Sequence, residues 1–394
     1  MKIRDIEVHP VQAPGRTLVI LLVRTDEGLT GVGEAGLQRR WRGIQGVTEH
    51  LKRWLVGEDP TRIEHLWQRM WRGGFYPADR LVGSVVSGID LALWDIKGQV
   101  LGVPVYELLG GRCRDRVESF SQPGYLTSAA EHPQTPAVGG KPADLDETRD
   151  TAQRYVAEGW KYFRVSPNAV GDVFQPAEAM RQTLRQLHAV RDAVGDKLEL
   201  MVDLHTRLSP ADAVWFCREC EPLRVFVIED PIRSEHPAGY RHIRAHTSAP
   251  LAAGEQWAGK WEFRTVIEEE LVDYVRPDLC IAGGLTEVRK IAAMAETHYI
   301  KLLPHNPLGP ICTAASLHLA LACDNAGPLE VLRPPDQILP DVFECAFALE
   351  GGHLTVPQTP GLGVKFNVEA ARGHPAEMTE PPHWKSLDGG FTNY

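Results

Sequence analysis

Apolar and polar residues alternate along the opening stretch of the chain. IRDIEVHPV, TLVILLVRTDEG and LTGVGEAG are separated by Gly, Pro and Asp turn signals and predict a short antiparallel sheet. The period then changes. VTEHLKRWLVG, PTRIEHLWQRMWRG opened by Asp59-Pro60, and VSGIDLALWDIKGQVLG place apolar side chains three and four positions apart, as one face of a helix requires. Strands followed by helices predict an α+β module over residues 1–115.

From Val117 onward, short apolar runs alternate with amphipathic helices, the pattern of a parallel sheet with crossover helices. The predicted strands are VESFSQ, KYFRVSP, LELMVDLH, VFVIEDP, PLAAGEQ, VDYVRPDL, IKLLPHN and PLEVL. Eight βα units fit a closed (β/α)8 barrel over residues 116–335. The stretch from Ser128 to Asp144, rich in Pro, Ala and Gly, reads as a loop inserted after the first barrel strand. Residues 336–394 carry two further possible strands, FECAFALEGG and GHLTVP, and are expected to pack back on the N-terminal module. The fold class is therefore α/β: a TIM barrel with an N-terminal α+β cap completed by the C-terminal segment.

Composition narrows the function. A 394-residue chain with 43% hydrophobic and 24% charged residues has the profile of a globular protein. A net charge of -10 argues against a surface built to neutralise nucleic-acid phosphates. No run approaches the ~18 apolar residues that span a bilayer, and the first residues show no apolar signal core, so a reducing cytoplasm is the expected compartment. The partner expected is a small molecule, and a homo-oligomer is expected. Seven cysteines are scattered through the chain. Cys217 and Cys220 form a CxxC, but ADAVWFCREC reads as a helix with no second pair, which points to buried thiols.

Six of the eight predicted strands end in an ionisable residue. Asp203, Glu229, Glu255, Asp278, His305 and Glu330 follow one another at intervals of 26, 26, 23, 27 and 25 residues. One βα unit of that length returns the chain to the same height on the next strand, so these side chains should ring the C-terminal mouth of the barrel. Asp203, Glu229 and Glu255 would then be converging anions that repel one another unless a cation sits among them. Hard oxygen donors without Cys or His favour Mg2+; the alternative is acids that cap the following helices.

His305, preceded by Asp278 at one-unit spacing, is a general-base candidate, because a carboxylate fixes the imidazole tautomer and favours its protonated form. His205, two residues after Asp203, should by strand alternation point the same way, as an acid for a departing hydroxyl or as a partner of the metal carboxylates. Arg164 either clamps a substrate oxygen or makes a salt bridge within the barrel. Glu330 either hydrogen-bonds the reaction intermediate, if protonated, or pins a neighbouring side chain. Ala13 to Thr17, with Arg16, and WRGGFYPADR, with Arg72, Tyr76 and Arg80, are the candidate loops for reading substrate hydroxyls.

SGIDLALWDIKGQVLGVPVYELLGG, MVDLH, VIEDP, GEQ, RPDLCIAGGLTE and PHNPLGP together resemble the enolase superfamily, specifically the mandelate racemase subgroup with its acid-sugar dehydratases, nearly end to end. That resemblance implies Mg2+ on Asp203, Glu229 and Glu255, an Asp278–His305 dyad, and His205 as general acid, a set similar to galactonate dehydratases. Many members carry Lys-x-Lys on the second barrel strand; Arg164 and Ser166 stand there instead, which argues against two-base racemisation. The expected reaction is Mg2+-dependent removal of the proton α to a carboxylate with loss of the β-hydroxyl, giving a 2-keto-3-deoxy acid. The alternatives are a mannonate-type dehydratase, a one-base epimerase, or a metal-binding barrel without turnover.

Overall fold

The structure is a computed structural model that describes residues 1–121, 144–167, 172–381 and 383–392. The predicted loop from Ser128 onward therefore lies outside the described residues except for Asp144, which caps the helix that follows it.

The alternating stretch forms a three-stranded antiparallel sheet, β1 (Ile3–Ala13), β2 (Arg16–Thr25) and β3 (Thr30–Ala35), in the order β1-β2-β3. Helices α1 (Trp41–Leu55), α2 (Ile63–Arg72) and α3 (Arg80–Leu101) cover it. Helix α3 starts where Asp79 accepts the Val82 N–H and stops at Gly102, whose φ of 71° reverses the chain. It lies so close to β3 that a Cβ on Gly33 would stand 1.7 Å from the Gly88 carbonyl oxygen; this contact requires glycine. A short turn of helix, α4 (Val105–Leu108), ends the module.

Eight parallel strands then build the barrel: β4 (Val117–Phe120), β5 (Tyr162–Val165), β6 (Glu199–Asp203), β7 (Val227–Glu229), β8 (Leu251–Ala253), β9 (Tyr274–Val275), β10 (Lys301–Leu302) and β11 (Leu329–Glu330). Strands β5 to β10 are one continuous ladder, and β11 pairs with β4. The Gly327 N–H donating to the Leu302 carbonyl (2.7 Å) ties β11 to β10, and the Tyr162 hydroxyl donating to Glu118 (3.2 Å) links β5 to β4. Helices α5 (Leu145–Ala157), α6 (Pro176–Val194), α7 (Pro210–Cys220), α8 (Tyr240–Arg244), α9 (Lys260–Glu268), α10 (Gly284–Glu296) and α11 (Pro310–Ala322) form the outer ring. Each predicted barrel run contains its strand. Cys217 and Cys220 are buried on α7 as free thiols.

The predicted strand FECAFALEGG is two short ones, β12 (Phe343–Cys345) and β13 (Leu349–Glu350), because the partner changes between them. β12 pairs with β15 (Val364–Phe366), whereas β13 pairs with β14 (His353–Leu354), which continues onto β4. The final segment, with α12 (Val368–Ala371), returns to the cap: the Leu362 N–H donates to Asp95 (2.8 Å) and the Gln12 N–H to the His374 carbonyl (3.0 Å). Among the described residues, no helix is long and apolar enough to cross a membrane.

Buried carboxylates fasten cap to barrel. Asp90 on α3 accepts the Thr286 N–H at the start of α10 (3.0 Å), and Glu34 on β3 accepts the N–H groups of Gly309 (2.8 Å) and Cys312 (3.0 Å) at the start of α11. Burial pushes the Asp90 pKa up to about 7. The folded protein thus holds this proton more tightly than the unfolded chain, so the stabilisation is complete below the ordinary carboxylate pKa of about 4 and lost as pH rises through the folded value. Asp90→Asn should therefore flatten the fall in urea-unfolding free energy between about pH 5 and pH 8 by ~1–3 kcal/mol relative to wild type. An unchanged slope would show that Asp90 is ionised throughout.

Candidate active site

Strand alternation builds the barrel interior in layers. Phe120, Tyr162, Met201, Val227, Ala252 and Leu303 close the lower interior as an apolar plug. Two positions further along the same inward face stand Arg164 above Tyr162, Asp203 above Met201, Glu229 above Val227 and His305 above Leu303. The same step on β9 runs from Tyr274 to Arg276 and then to Asp278. The ionisable side chains therefore gather at the C-terminal mouth, above an apolar floor.

The carboxylates of Asp203, Glu229 and Glu255 are 2%, 0% and 8% exposed, and in this structure two guanidiniums span them. Arg164 Nη1 is 3.6 Å from Asp203 and 3.2 Å from Glu229. Arg276 reaches Glu229 at 3.1 Å, Asp230 at 3.4 Å and Glu255 at 4.0 Å. Glu330 joins both, accepting from Arg164 at 2.6 Å and from Arg276 at 3.1 Å. Burial pushes Glu229 up to about 7 and Glu255 to about 8, the neighbouring acids adding to it and the guanidiniums and His305 opposing it. Burial also opposes ionisation of Asp203, but His205, Arg164 and Arg276 hold its pKa below the usual range.

His305 and Asp278 come together. His305 Nδ1 is 2.9 Å from Asp278 Oδ2, and its Nε2 is 3.7 Å from Glu255. Asp278 Oδ1 accepts the Cys280 N–H at 2.7 Å, so the acid is fixed at both oxygens. Burial disfavours the imidazolium, yet the bond to Asp278 and the charges of Glu255 and Glu330 outweigh it and raise the His305 pKa.

Two sequence readings are narrowed. Arg164 is 3% exposed and its guanidinium makes salt bridges within the barrel to Glu330, Glu229 and Asp203. Glu330 pins the neighbouring Arg164 and Arg276 side chains, which with His305 hold its carboxyl well below the ordinary carboxylate range despite burial. It also accepts the Asn306 N–H (3.2 Å) and so steadies the residue beside His305.

His205 lies next to Asp203, but not by strand alternation. β6 ends at Asp203, and His205 and Thr206 turn with φ of 48° and 60°. Its backbone N–H donates to Asp203 Oδ1 (3.0 Å) and its Nε2 lies 3.1 Å from Asp203 Oδ2. Burial lowers its pKa. Arg276 and Asp230 were not singled out in the sequence; Arg276 was findable, because it stands two residues before Asp278 and alternation turns both inward.

A cavity of about 900 Å3 opens over Glu255 and His305. Its cap-side wall is Gly36 to Arg40, which follows β3, together with Arg80, one of the predicted hydroxyl readers. Arg80 donates to the Gln256 carbonyl (2.7 Å) and to Glu262 (3.0 Å). Arg16 instead lines a small separate pocket beside Pro307 and Leu308, and Tyr76 lines one between α1 and α2. Arg72 lies on the exposed surface.

Comparison with known proteins agrees with this geometry. Residues 5–110 match the family described as mandelate racemase / muconate lactonizing enzyme, N-terminal domain, and residues 147–371 match the enolase C-terminal domain-like family. A D-galactonate dehydratase of Ralstonia pickettii (strain 12J) is 38% identical over 384 residues, covering 95% of this chain and 96% of that protein. A D-mannonate dehydratase of Caulobacter sp. (strain K31) is 34% identical over 404 residues, covering 100% of each. The crystal structure of an enolase from Pantoea ananatis, with bound D-gluconate and Mg, superposes with a TM-score of 0.89 at 30% identity over 99% of both chains. With its cap and its barrel each matched in order, the chain belongs to the mandelate racemase and muconate lactonizing enzyme family of the enolase superfamily.

Proposed function

We propose that the protein is a divalent-metal-dependent acid-sugar dehydratase. It removes the proton α to the substrate carboxylate and expels the β-hydroxyl, and the resulting enol becomes a 2-keto-3-deoxy acid. The observation that carries this reading is the Asp278–His305 pair, with Nδ1 held at 2.9 Å while Nε2 lies 3.7 Å from Glu255 at the base of the cavity. An aspartate-backed imidazole facing a carboxylate cluster is suited to taking a carbon-bound proton beside an anionic group.

The donor set fits a cation. Asp203, Glu229 and Glu255 offer only hard oxygens, and Glu229 Oε1 is buried without a hydrogen-bond partner. Counting Asp230 and Glu330, five carboxylates meet the two guanidiniums of Arg164 and Arg276, and a sixth, Asp278, pairs with His305. The shortage of positive charge is visible in Glu229 and Glu255, whose pKa values burial lifts to about 7 and about 8. Bound by these three acids, Mg2+ supplies Lewis-acid stabilisation of the negative charge that grows on the substrate carboxylate, a contribution of several kcal/mol.

The chain's own residues do the rest. His305 Nε2 takes the α-proton while Nδ1–H stays on Asp278, which stabilises the imidazolium. His205, whose ring is 34% exposed, is assigned to protonate the departing hydroxyl. Arg164 and Ser166 provide no base on the second barrel strand, which leaves elimination or one-base chemistry. The D-galactonate-type acid is the favoured substrate, supported by the intact aspartate–histidine dyad and by the 38% identical relative.

With Mg2+ and D-galactonate, D-gluconate or D-mannonate, the protein should release 2-keto acid from at least one of them; α-proton exchange in D2O without keto acid would reject dehydration. His305→Asn should abolish α-proton exchange and leave the fold intact by circular dichroism. His205→Asn should keep exchange while keto-acid formation falls by ~100-fold or more; equal loss of both would reduce His205 to a partner of Asp203. Arg276→Met should cost ~3–5 kcal/mol of stability because it strands Glu229, Asp230 and Glu330, and added Mg2+ should recover part of that in a thermal melt. A cation-independent melt would remove the charge-balance argument.

A further inference from the structure

A second set of metal-ligating atoms lies outside the carboxylate triad. Asp278, Cys280 and Cys312 each place a ligand atom within 4.8 Å of the other two. All three are buried, at 1%, 0% and 0% exposure. Both cysteines are free thiols. They come from different elements, Cys280 from the turn after β9 and Cys312 from the first turn of α11, so the barrel's closure brings them together. Glu34 stands beside them, accepting the Cys312 N–H at 3.0 Å.

We propose that Asp278, Cys280 and Cys312 form a binding site for a thiophilic divalent cation of the zinc and cadmium class, and that filling it inhibits the enzyme by drawing Asp278 away from His305. Two sulfurs and a carboxylate oxygen are the donors of a borderline-soft ion, whereas the oxygen triad suits Mg2+, so the two sites sort metals by softness. With Zn–S bonds of ~2.3 Å, ligand atoms of one tetrahedral shell stand about 4 Å apart, so the observed spacing needs only side-chain adjustment. Water completes the shell. The three ligands are buried behind Ile281 and His305, which line the cavity, so an ion enters from that side by local movement of these two side chains. Binding expels the two thiol protons to solvent and changes no oxidation state. Asp278 then shares its charge with the cation, and the Nδ1–H bond that orients the base is weakened. The inhibitory consequence rests on the assignment of the dyad; the binding itself does not.

The test titrates the reduced protein with Cd2+ in excess Mg2+, following the cadmium–thiolate ultraviolet band, the release of protons and the melting temperature. Wild type should bind one more equivalent than either Cys280→Ala or Cys312→Ala, with two protons released at that step and a Cd2+-dependent rise in melting temperature that both variants lack. Turnover of the acid-sugar substrate should fall about ten- to hundredfold as that equivalent is taken up, while in each variant whatever activity Mg2+ supports should resist Cd2+. Identical stoichiometry and band in wild type and both variants would overturn the site. A wild-type-specific band with turnover unaffected would overturn the inhibition. If none of the sugar acids is turned over, the band and the melt still decide whether the site exists, so its failure is distinguishable from failure of the dehydratase reading.

Discussion

Everything at the mouth of this barrel depends on how a cluster of buried carboxylates is kept ionised. Moving an anion out of water costs several kcal/mol, and placing another beside it costs more. Arg164 and Arg276 meet part of that cost from beneath, each touching more than one acid, and neither is more than 3% exposed. Because the guanidinium is planar and permanently charged, it holds several carboxylates at fixed directions, which a lysine could not do. The guanidiniums fix the directions of the acids but do not match their number.

The same economy of buried charge joins the two parts of the molecule. Glu34, Asp90 and Asp95 all leave the cap sheet or its long helix and end on backbone N–H groups of α11, α10 or the C-terminal segment. Each oxygen satisfies a backbone donor that burial would otherwise leave unpaired, so these contacts add to the apolar packing between cap and barrel. They also fix geometry where it matters. Glu34 holds the first turn of α11, and the loop leading into that turn carries His305. A Cβ on Gly309 would stand 2.8 Å from the Glu34 carboxylate, so this glycine is what permits the grip.

Much of this was legible in the sequence, for a physical reason. A (β/α)8 barrel repeats every ~25 residues, and a side chain's distance along the repeat sets its height in the barrel, so ionisable strand ends at equal spacing report a shared mouth. Pattern alone gave the eight strands and the clustering of Asp278 with His305. It did not give the local geometry at His205, where the strand stops at Asp203 and a left-handed turn, not alternation, brings the ring back. Nor did it show that Arg164 and Glu330 serve each other, since strand-end residues carry no label separating those that face substrate from those that face the next charged layer. The hydroxyl-reading segments were the hardest. Arg80 reaches the cavity, but the cap wall from Gly36 to Arg40 has no period to betray it.

That division separates the charged residues from the cavity wall. Asp278 and His305 follow strand ends whose positions are fixed by the parallel ladder and by the charged layer beneath them. The cavity above them is walled by cap residues such as Gln38 and Arg40 and by the turn at Arg233 and Ser234, which leave the charged layer untouched. Arg40 reaches Glu380 (2.5 Å) and Ser234 reaches Gln256 (2.8 Å), so these two wall residues are held by neighbours on the rim and not by Asp278 or His305. Substitutions there can change which hydroxyls are read without disturbing Asp278 or His305, and the energetic coupling between reading and chemistry is confined to the few contacts, Glu34 foremost, that cross from cap to base loop.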